Sequence, residues 1–335
     1  MSAIAWFRQL SPRFMELAIF HQATPGVPAQ HQILQQLKHT DGCFFECGTL
    51  AGMKSLACLA SCCFLAIASY AQETTALPII VAGATQSSIP VRVSDFKVEV
   101  NNEPVSVASL TSLSGKPLQY VLINDQRLHN QWPGGRDQQA HVAKELLKQV
   151  VSSGSDIGTL VNYSDAVFLD VQDERDPKKL SSQIRATGIG PARLYDAVVA
   201  GTKWLAKQPT TRDGRKVTFL VCDGSDTGSH VGLADAIKAL QEASFPIFVV
   251  APSDSEKKKQ GQDMRELAEQ SGGRAYFLGP STRYLTFDDL KRDLADSFLL
   301  ALNPPFHNKG FLPLRITGVA HPQLSISSST RVFVP

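Results

Sequence analysis

Val217-Thr-Phe-Leu-Val-Cys222 is a short apolar run that closes on Asp223-Gly-Ser-Asp226 and then opens into a helical pattern carrying Leu233, Ala236, Ile237 and Leu240. The same unit recurs on its C-terminal side. Pro246-Ile-Phe-Val-Val250 leads into a helix with Met264, Leu267 and Ala268, and Arg274-Ala-Tyr-Phe-Leu278 leads into a segment read as helical from Phe287 to Leu302. Short strands alternating with amphipathic helices predict a mostly parallel sheet covered on both faces. On the N-terminal side, Leu118-Gln-Tyr-Val-Leu-Ile123 precedes a helix that places Val142, Ala143, Leu146, Leu147 and Val150 on one stripe. Gly158–Tyr163 and Ala166–Val171 read as adjacent strands, the second antiparallel at an edge. Asp176–Ile184 is a short helix, and Leu194, Val198 and Leu205 share a stripe with Trp204 beside it. The last helix carries a capping-box-like pair, Thr286 and Asp289, and Pro304-Pro305 stop it.

Outside this α/β region the period changes. Val91–Val100 alternates, turns at Asn101-Asn-Glu-Pro104 and resumes over Val105–Leu110, which predicts a hairpin with one wet face. Residues 72–88 read as a loosely held start, and Ser112–Pro117 as a linker. Phe311–Pro335 again alternates and is expected to pair with the leading hairpin. The expected fold is thus α/β and Rossmann-like: a mostly parallel central sheet with helices on both faces, plus a small β module formed by the segments before and after it.

The chain of 335 residues carries a net charge of +2, too little for the electrostatic footprint of a nucleic-acid binder. Met53-Lys54, the apolar run Ser55–Ala68 and Ser69-Tyr-Ala71 have the three parts of a signal peptide. Residues 1–52 are then expected to be a non-native N-terminal extension, 53–71 the signal peptide, 72–116 the hairpin and linker, 117–303 the α/β domain and 304–335 a C-terminal β segment. The apolar run is shorter than the roughly 20 residues a bilayer span needs, so the mature form is not expected to be transmembrane. A secreted or periplasmic product follows. Leu59-Ala-Ser-Cys62 resembles a lipoprotein box but falls early in the run, leaving lipid anchoring as the lesser alternative. Five of the six cysteines precede Ala71; Cys222, which remains, ends an apolar strand and reads as packing.

Function in an open α/β sheet gathers beyond the carboxyl ends of the strands. That rule selects Asn124 and Asp125, the Gly188–Asp196 loop, and Asp223-Gly-Ser-Asp226. Asp125 and Asp223 could face one point, and their oxygens suit Mg²⁺ or Ca²⁺ if a cation is held at all; no other cofactor is expected. The Asp125 loop, the Leu194-Tyr-Asp-Ala197 helix start, the Cys222–Asp226 turn and Ser271-Gly-Gly-Arg-Ala275, in that order, resemble a von Willebrand factor type A (VWFA) domain. With the leading Asp95–Val105 hairpin, the mature chain is similar to the exported VWFA-related proteins typical of Acidobacteria. The resemblance spans about residues 90–330.

It implies metal-ion-dependent adhesion, in which an Asp-x-Ser-x-Ser loop, a threonine and a further aspartate hold Mg²⁺ for a partner's carboxylate. Asp125 and Asp223 match the two acids. Arg127 and His129 stand at the serine positions and Ala192 at the threonine position. Shifting by one to Asn124 places Gln126 and Leu128 there and repairs nothing. A guanidinium has no acceptor to offer a cation. The readings open here are a degenerate site, in which Arg127, helped by Arg193, pairs with Asp125 or Asp223 in place of the ion, and an atypical metal site. His129, Trp132 and Asp226 are candidate partner-binding residues at the same crevice, and for Trp132 packing over the first helix is the alternative. No phosphate-loop, zincin or nucleophile-elbow motif is present. A non-enzymatic protein-binding domain is expected, with a structural part of an envelope or secretion assembly as the alternative, its contacts then lying on the sheet edges near Val91–Leu110 and Leu314–Ser327.

Overall fold

The computed structural model describes residues 75–84, 90–128, 132, 137–152, 154–210, 214–279, 287–303, 306–318 and 324–335. The N-terminal extension, the signal peptide, His129, the Thr286 cap and Pro304-Pro305 lie outside the described residues. In chain order the elements are β1 (Thr75–Ala82), β2 (Phe96–Val100), β3 (Glu103–Val105), β4 (Val107–Ser112), β5 (Leu118–Asp125), α1 (Gln138–Val150), β6 (Ile157–Tyr163), β7 (Val167–Glu174), α2 (Pro177–Gln183), α3 (Leu194–Lys207) and β8 (Arg215–Val221). They continue with α4 (Leu233–Ala243), β9 (Ile247–Pro252), α5 (Lys259–Gln270), β10 (Arg274–Leu278), α6 (Asp288–Ala295), β11 (Ser297–Leu302), β12 (Gly310–Gly318), β13 (Ser325–Ser328) and β14 (Arg331–Val334).

The Rossmann-like sheet runs β10-β9-β8-β5-β6-β7. All its neighbours are parallel except β6 and β7, which pair antiparallel at the edge. Successive residues of a strand point to opposite faces, so a strand covered on both sides is apolar at most positions. Tyr120, Leu122, Leu160, Phe219 and Phe248 pack with Leu146 and Leu147 of α1, Leu180 of α2 and Leu290 of α6. Their alternates Val121, Ile123, Val161, Leu220 and Val249 pack with Val198 of α3, Leu240 of α4 and Met264 of α5. Each fully buried side chain of this size contributes about 1.5–3 kcal/mol. The start of α2 is set locally: Asp176 accepts the Lys178 N–H at 2.9 Å, and Pro177 occupies the first turn, where no amide donor is needed.

The β module is larger than its expected form. Two four-stranded sheets, β13-β1-β11-β4 and β14-β12-β2-β3, enclose Leu77, Ile79, Val98, Val100, Leu300, Leu302, Leu314 and Val332. Three local readings are corrected by it. Thr75–Ala82 is not a loose start: β1 pairs with β11 on one side and β13 on the other. The segment 287–302 is not one helix, because α6 ends at Ala295 and Ser297–Leu302 continues as a central strand between β1 and β4. Residues 297–302 therefore lie in the β sheets although the sequence boundary assigned them to the α/β region. The leading hairpin is also shorter. Val93–Asp95 forms a 3-10 turn, the strand begins at Phe96, and the returning chain splits so that β3 pairs with β2 while β4 joins β11. The hairpin turn itself is at Asn101-Asn102, with φ of 54° and 64°, the left-handed pair that matches strand twist. β12 pairs with β2 from Leu314↔Val100 to Gly318↔Phe96, joining the two ends of the chain's described part.

Two sets of contacts tie the β sheets to the α/β layer. Asp296, just after α6, accepts the Val81 N–H on its carbonyl and the Gly83 N–H on its carboxylate, both at 2.9 Å. The turn before β14 lies on the C-terminal end of α5: Ser329 bridges to Ser271 and donates its hydroxyl to the Gln270 carbonyl at 3.1 Å. Gly272, at φ 87°, lies under that turn, and a Cβ there would stand 2.7 Å from the Ser329 nitrogen. Among the described residues, no helix is long and apolar enough to cross a membrane.

Candidate functional site

β5 and β8 are adjacent and parallel, so the residues that leave their carboxyl ends must emerge side by side. Asp125 is the last residue of β5, and Asp223 follows β8 by two residues; both carboxylates are buried. Arg127 turns back onto this pair. Its backbone N–H donates to Asp125 Oδ1 at 3.0 Å, its Nε to the same oxygen at 3.0 Å, and its Nη2 to Asp125 Oδ2 at 2.6 Å. The same Nη2 donates to Asp223 Oδ1 at 3.3 Å. One guanidinium edge thus grips Asp125 in a two-point fork and spans to the second acid. The side chain is 12% exposed. Burial works against its charge, but the Asp125 hydrogen bonds and the fields of Asp125, Tyr163 and Asp223 outweigh that, so its pKa rises above the ordinary arginine value.

The floor is apolar or silent. Cys222 is buried with Sγ 3.6 Å from Met264 Sδ, and burial, then Asp223 and Asp125, push its thiol far above the usual range. A buried thiol held protonated in this way packs as a small hydrophobe. Tyr163 is buried beside the acids, and burial followed by the Asp125 charge raises its phenol as well. Its hydroxyl has no hydrogen-bond partner among the described residues.

Gln139, which sequence reasoning passed over, holds the two strand ends at their spacing. It is fully buried on α1, and its Nε2 donates to the Asp125 carbonyl and, at 3.2 Å, to the Val221 carbonyl. Its Oε1 accepts the Trp132 indole N–H at 2.9 Å. A signal was present: Gln139 lies three and seven residues before Val142 and Leu146, a polar residue on the apolar stripe of the helix.

The remaining candidates are distributed differently from the expectation. Trp132 is 2% exposed and belongs to the core under α1, so it packs and is not presented as an anchor. Arg193 does not reach Asp125 or Asp223; its Nε is 3.5 Å from Asp196 Oδ2 and its Nη2 lies 2.7 and 2.8 Å from the two ring nitrogens of His230. Asp226 commits one oxygen to the loop, accepting the Leu194 N–H at 3.0 Å and the Ser229 hydroxyl at 2.5 Å on Oδ1, which fixes the start of α3. Ala192 is buried, with its N–H on Thr227 Oγ1 at 2.8 Å. The loops meet through backbone bonds: Gln126 accepts from Thr187 and Gly188, and Leu128 donates to Gly188. Leu128 and Ile189, 41% and 84% exposed, stand on the outer side of this junction.

These residues do not fit a divalent ion. Nη2 of Arg127 occupies the space between the two acids, Ala192 has no side-chain oxygen, and a fixed positive charge repels a cation where oxygen ligands are needed. Among the described residues, no group of three or more His, Cys, Asp or Glu is arranged to hold a metal.

No protein-family profile and no curated protein sequence matches the chain. Among solved structures, it is similar to the conserved hypothetical protein BatB from Bacteroides thetaiotaomicron, at 12% identity and a TM-score of 0.41 over 53% of this chain and 97% of that one. It is similar to the PilB minor pilin from Streptococcus sanguinis at 12% identity and a TM-score of 0.40, over 54% of this chain and 62% of the pilin. Proximal thread matrix protein 1 from the mussel byssus, solved with a zinc-occupied MIDAS motif, is similar at 13% identity and a TM-score of 0.44, over 60% of this chain and 50% of that protein.

Proposed function

We propose that the chain is an exported, non-enzymatic protein-binding module of the VWFA type that engages its partner without a divalent ion. The observation that carries this reading is Arg127, which spans Asp125 and Asp223 from within the chain and supplies the positive charge that a bound cation would otherwise supply. The crest it stabilises is a scaffold for contact: three loops locked by backbone bonds, with Leu128 and Ile189 exposed beside them. The thiol at the crevice is buried and protonated, which suits packing and not catalysis. Residues 53–71 act as the signal peptide in this reading, 117–303 carry the binding face, and 72–116 and 304–335 flank it.

A test is calorimetric titration of Mg²⁺, Mn²⁺ and Ca²⁺ into the metal-stripped full chain, beside capture of envelope proteins with and without a chelator. The expected result is no saturable heat and chelator-insensitive capture that is lost in a Leu128→Asp, Ile189→Asp double variant. Binding of one ion per chain that disappears in Asp223→Ala would overturn the metal-free reading.

A second reading, a structural part of an envelope assembly, is favoured by one feature. β4, Val107-Ala-Ser-Leu-Thr-Ser112, is an edge strand with no charged residue to discourage strand addition. Capture that survives the double variant and is lost on Ser109→Pro would select it.

A further inference from the structure

Beside the Arg127 centre, on the far side of the Asp223 loop, lies an open cleft of about 270 Å³ between the start of α3 and the first turns of α5. Its lining includes Tyr195, Ser225, Asp226, Lys259, Gln260 and Asp263. Tyr195 is 7% exposed and lines the cleft, yet its hydroxyl makes no hydrogen bond among the described residues. Burial, then Asp263 and then Asp226, hold that phenol above its ordinary range, so it remains a protonated donor. Asp263 likewise takes no hydrogen bond or ion pair among the described residues, and Asp226 spends Oδ1 on Leu194 and Ser229 while Oδ2 is left. Lys259, one helical turn before Asp263, is exposed at the rim and forms no ion pair with it. The other polar groups are occupied, with Gln260 Nε2 donating to Ser225 Oγ at 3.3 Å and Ser225 Oγ donating to Asp223 Oδ2 at 3.0 Å.

We propose that this cleft receives a lysine or arginine side chain of a protein partner, held between the Asp263 and Asp226 carboxylates and the Tyr195 ring. This deepens the module reading and rests on it. Charge decides against an acidic partner: two carboxylates face the cleft and its single ammonium is in solvent at the rim. A cation over an aromatic face with a carboxylate beside it is the chemistry by which basic side chains are recognised. An apolar side chain would strand the Asp263 carboxylate and the Tyr195 hydroxyl without partners.

The experiment uses the full chain and blocked tripeptides, Gly-Arg-Gly, Gly-Lys-Gly and Gly-Glu-Gly, followed by amide shifts of Ser225, Thr227 and Lys259 in NMR spectra. The basic peptides are expected to give saturable shifts and the acidic one none. Asp263→Asn, which breaks no hydrogen bond or ion pair among the described residues, is expected to weaken them about tenfold or more, and Lys259→Glu to tighten them. Shifts from Gly-Glu-Gly as large as those from the basic peptides, no saturation with any peptide, or indifference to Asp263→Asn would each overturn the proposal. Partner capture separates the two readings. Loss of peptide binding with capture still dependent on Leu128 and Ile189 removes the cleft alone, whereas peptide binding with no protein captured removes the module reading.

Discussion

Arg127 has two carboxylates on one side and an apolar floor below, so its removal changes more than one ion pair. Arg127→Ala leaves Asp125 and Asp223 buried and facing each other, and the expected loss of stability at neutral pH is about 3 kcal/mol, the scale for truncating one member of a buried pair. Arg127→Lys should recover part of this, because an ammonium supplies the charge but not the two-point fork. Removing the fixed positive charge also ends its repulsion of a cation near the two acids, so millimolar Mg²⁺ should raise the melting temperature of Arg127→Ala and leave that of the native chain unmoved. Equal melting temperatures for native and variant chains would show that the guanidinium is not what holds these acids. Arg127 was legible as an obstacle to a cation because its chemistry excludes coordination whatever its rotamer. Arg193 was not, because the alternative acid that takes it, Asp196, is only three residues away in the chain and local geometry on α3 decides the matter. Trp132 was undecidable for a related reason: a tryptophan in a Pro/Gly loop serves a partner or its own helix, and only Gln139, itself unnoticed, turns the indole inward.

Most elements of the α/β layer were readable because their strands show mainly apolar runs, and because β5, β8, β9 and β10 are each followed by a 3.6-residue stripe. The same rule failed at Phe287–Leu302. Leu290 and Leu294 are one helical turn apart and set a helical phase, and Phe298-Leu-Leu-Ala-Leu302 is apolar at every position, so periodicity could not say where the helix gave way. What decides it is pairing with β1 and β4, which are distant in sequence. A strand here makes a specific prediction. Leu300→Ala and Leu302→Ala, both fully buried, should each cost about 2–5 kcal/mol, and Leu299→Ala, half-buried on the opposite face just before Leu300, clearly less, a period of two in denaturant midpoints. Costs that instead recur every three to four residues would restore the helix. α6 adds a pH signature of unusual sign. Asp293 accepts the Tyr276 hydroxyl at 2.6 Å and an Arg274 ion pair at 2.9 Å, yet burial outweighs both and raises its pKa above the ordinary carboxylate value. A carboxyl raised in the folded state destabilises that state as it ionises. The advantage of the native chain over Asp293→Asn should therefore be greatest below the unfolded carboxylate range, shrink as pH rises toward the raised folded value, and then level off. An advantage that instead grows through this window would mean that Arg274 and Tyr276 dominate.

At the scale of the molecule, the chain enters the β sheets at β1 to β4, leaves to build the six-stranded sheet, and returns through β11 to β14. Every strand that closes the β sheets thus depends on the α/β layer to bring the two ends together, and the Asp296 and Ser329 contacts join the layers directly. Entry and exit that are both held cannot loosen without costing the other layer its boundary, so the two are expected to unfold as one cooperative unit. Tryptophan fluorescence tests this, since Trp132 and Trp204 both flank the six-stranded sheet, Trp204 donating its indole N–H to Thr159 of β6 at 3.3 Å. In a Trp6→Phe background these two are the only tryptophans that report. Leu300→Ala alters nothing near either ring, being in the core between the two four-stranded sheets. Under coupled unfolding, the loss of about 2–5 kcal/mol at Leu300 should lower the tryptophan-monitored melting temperature by several degrees, by the same amount as the far-ultraviolet transition. A tryptophan transition that keeps its midpoint while the far-ultraviolet signal splits into two would mean that the β sheets melt by themselves. The Arg127 crest would then rest on the six-stranded sheet alone, and under the proposed function loss of the flanking strands would leave partner recognition intact.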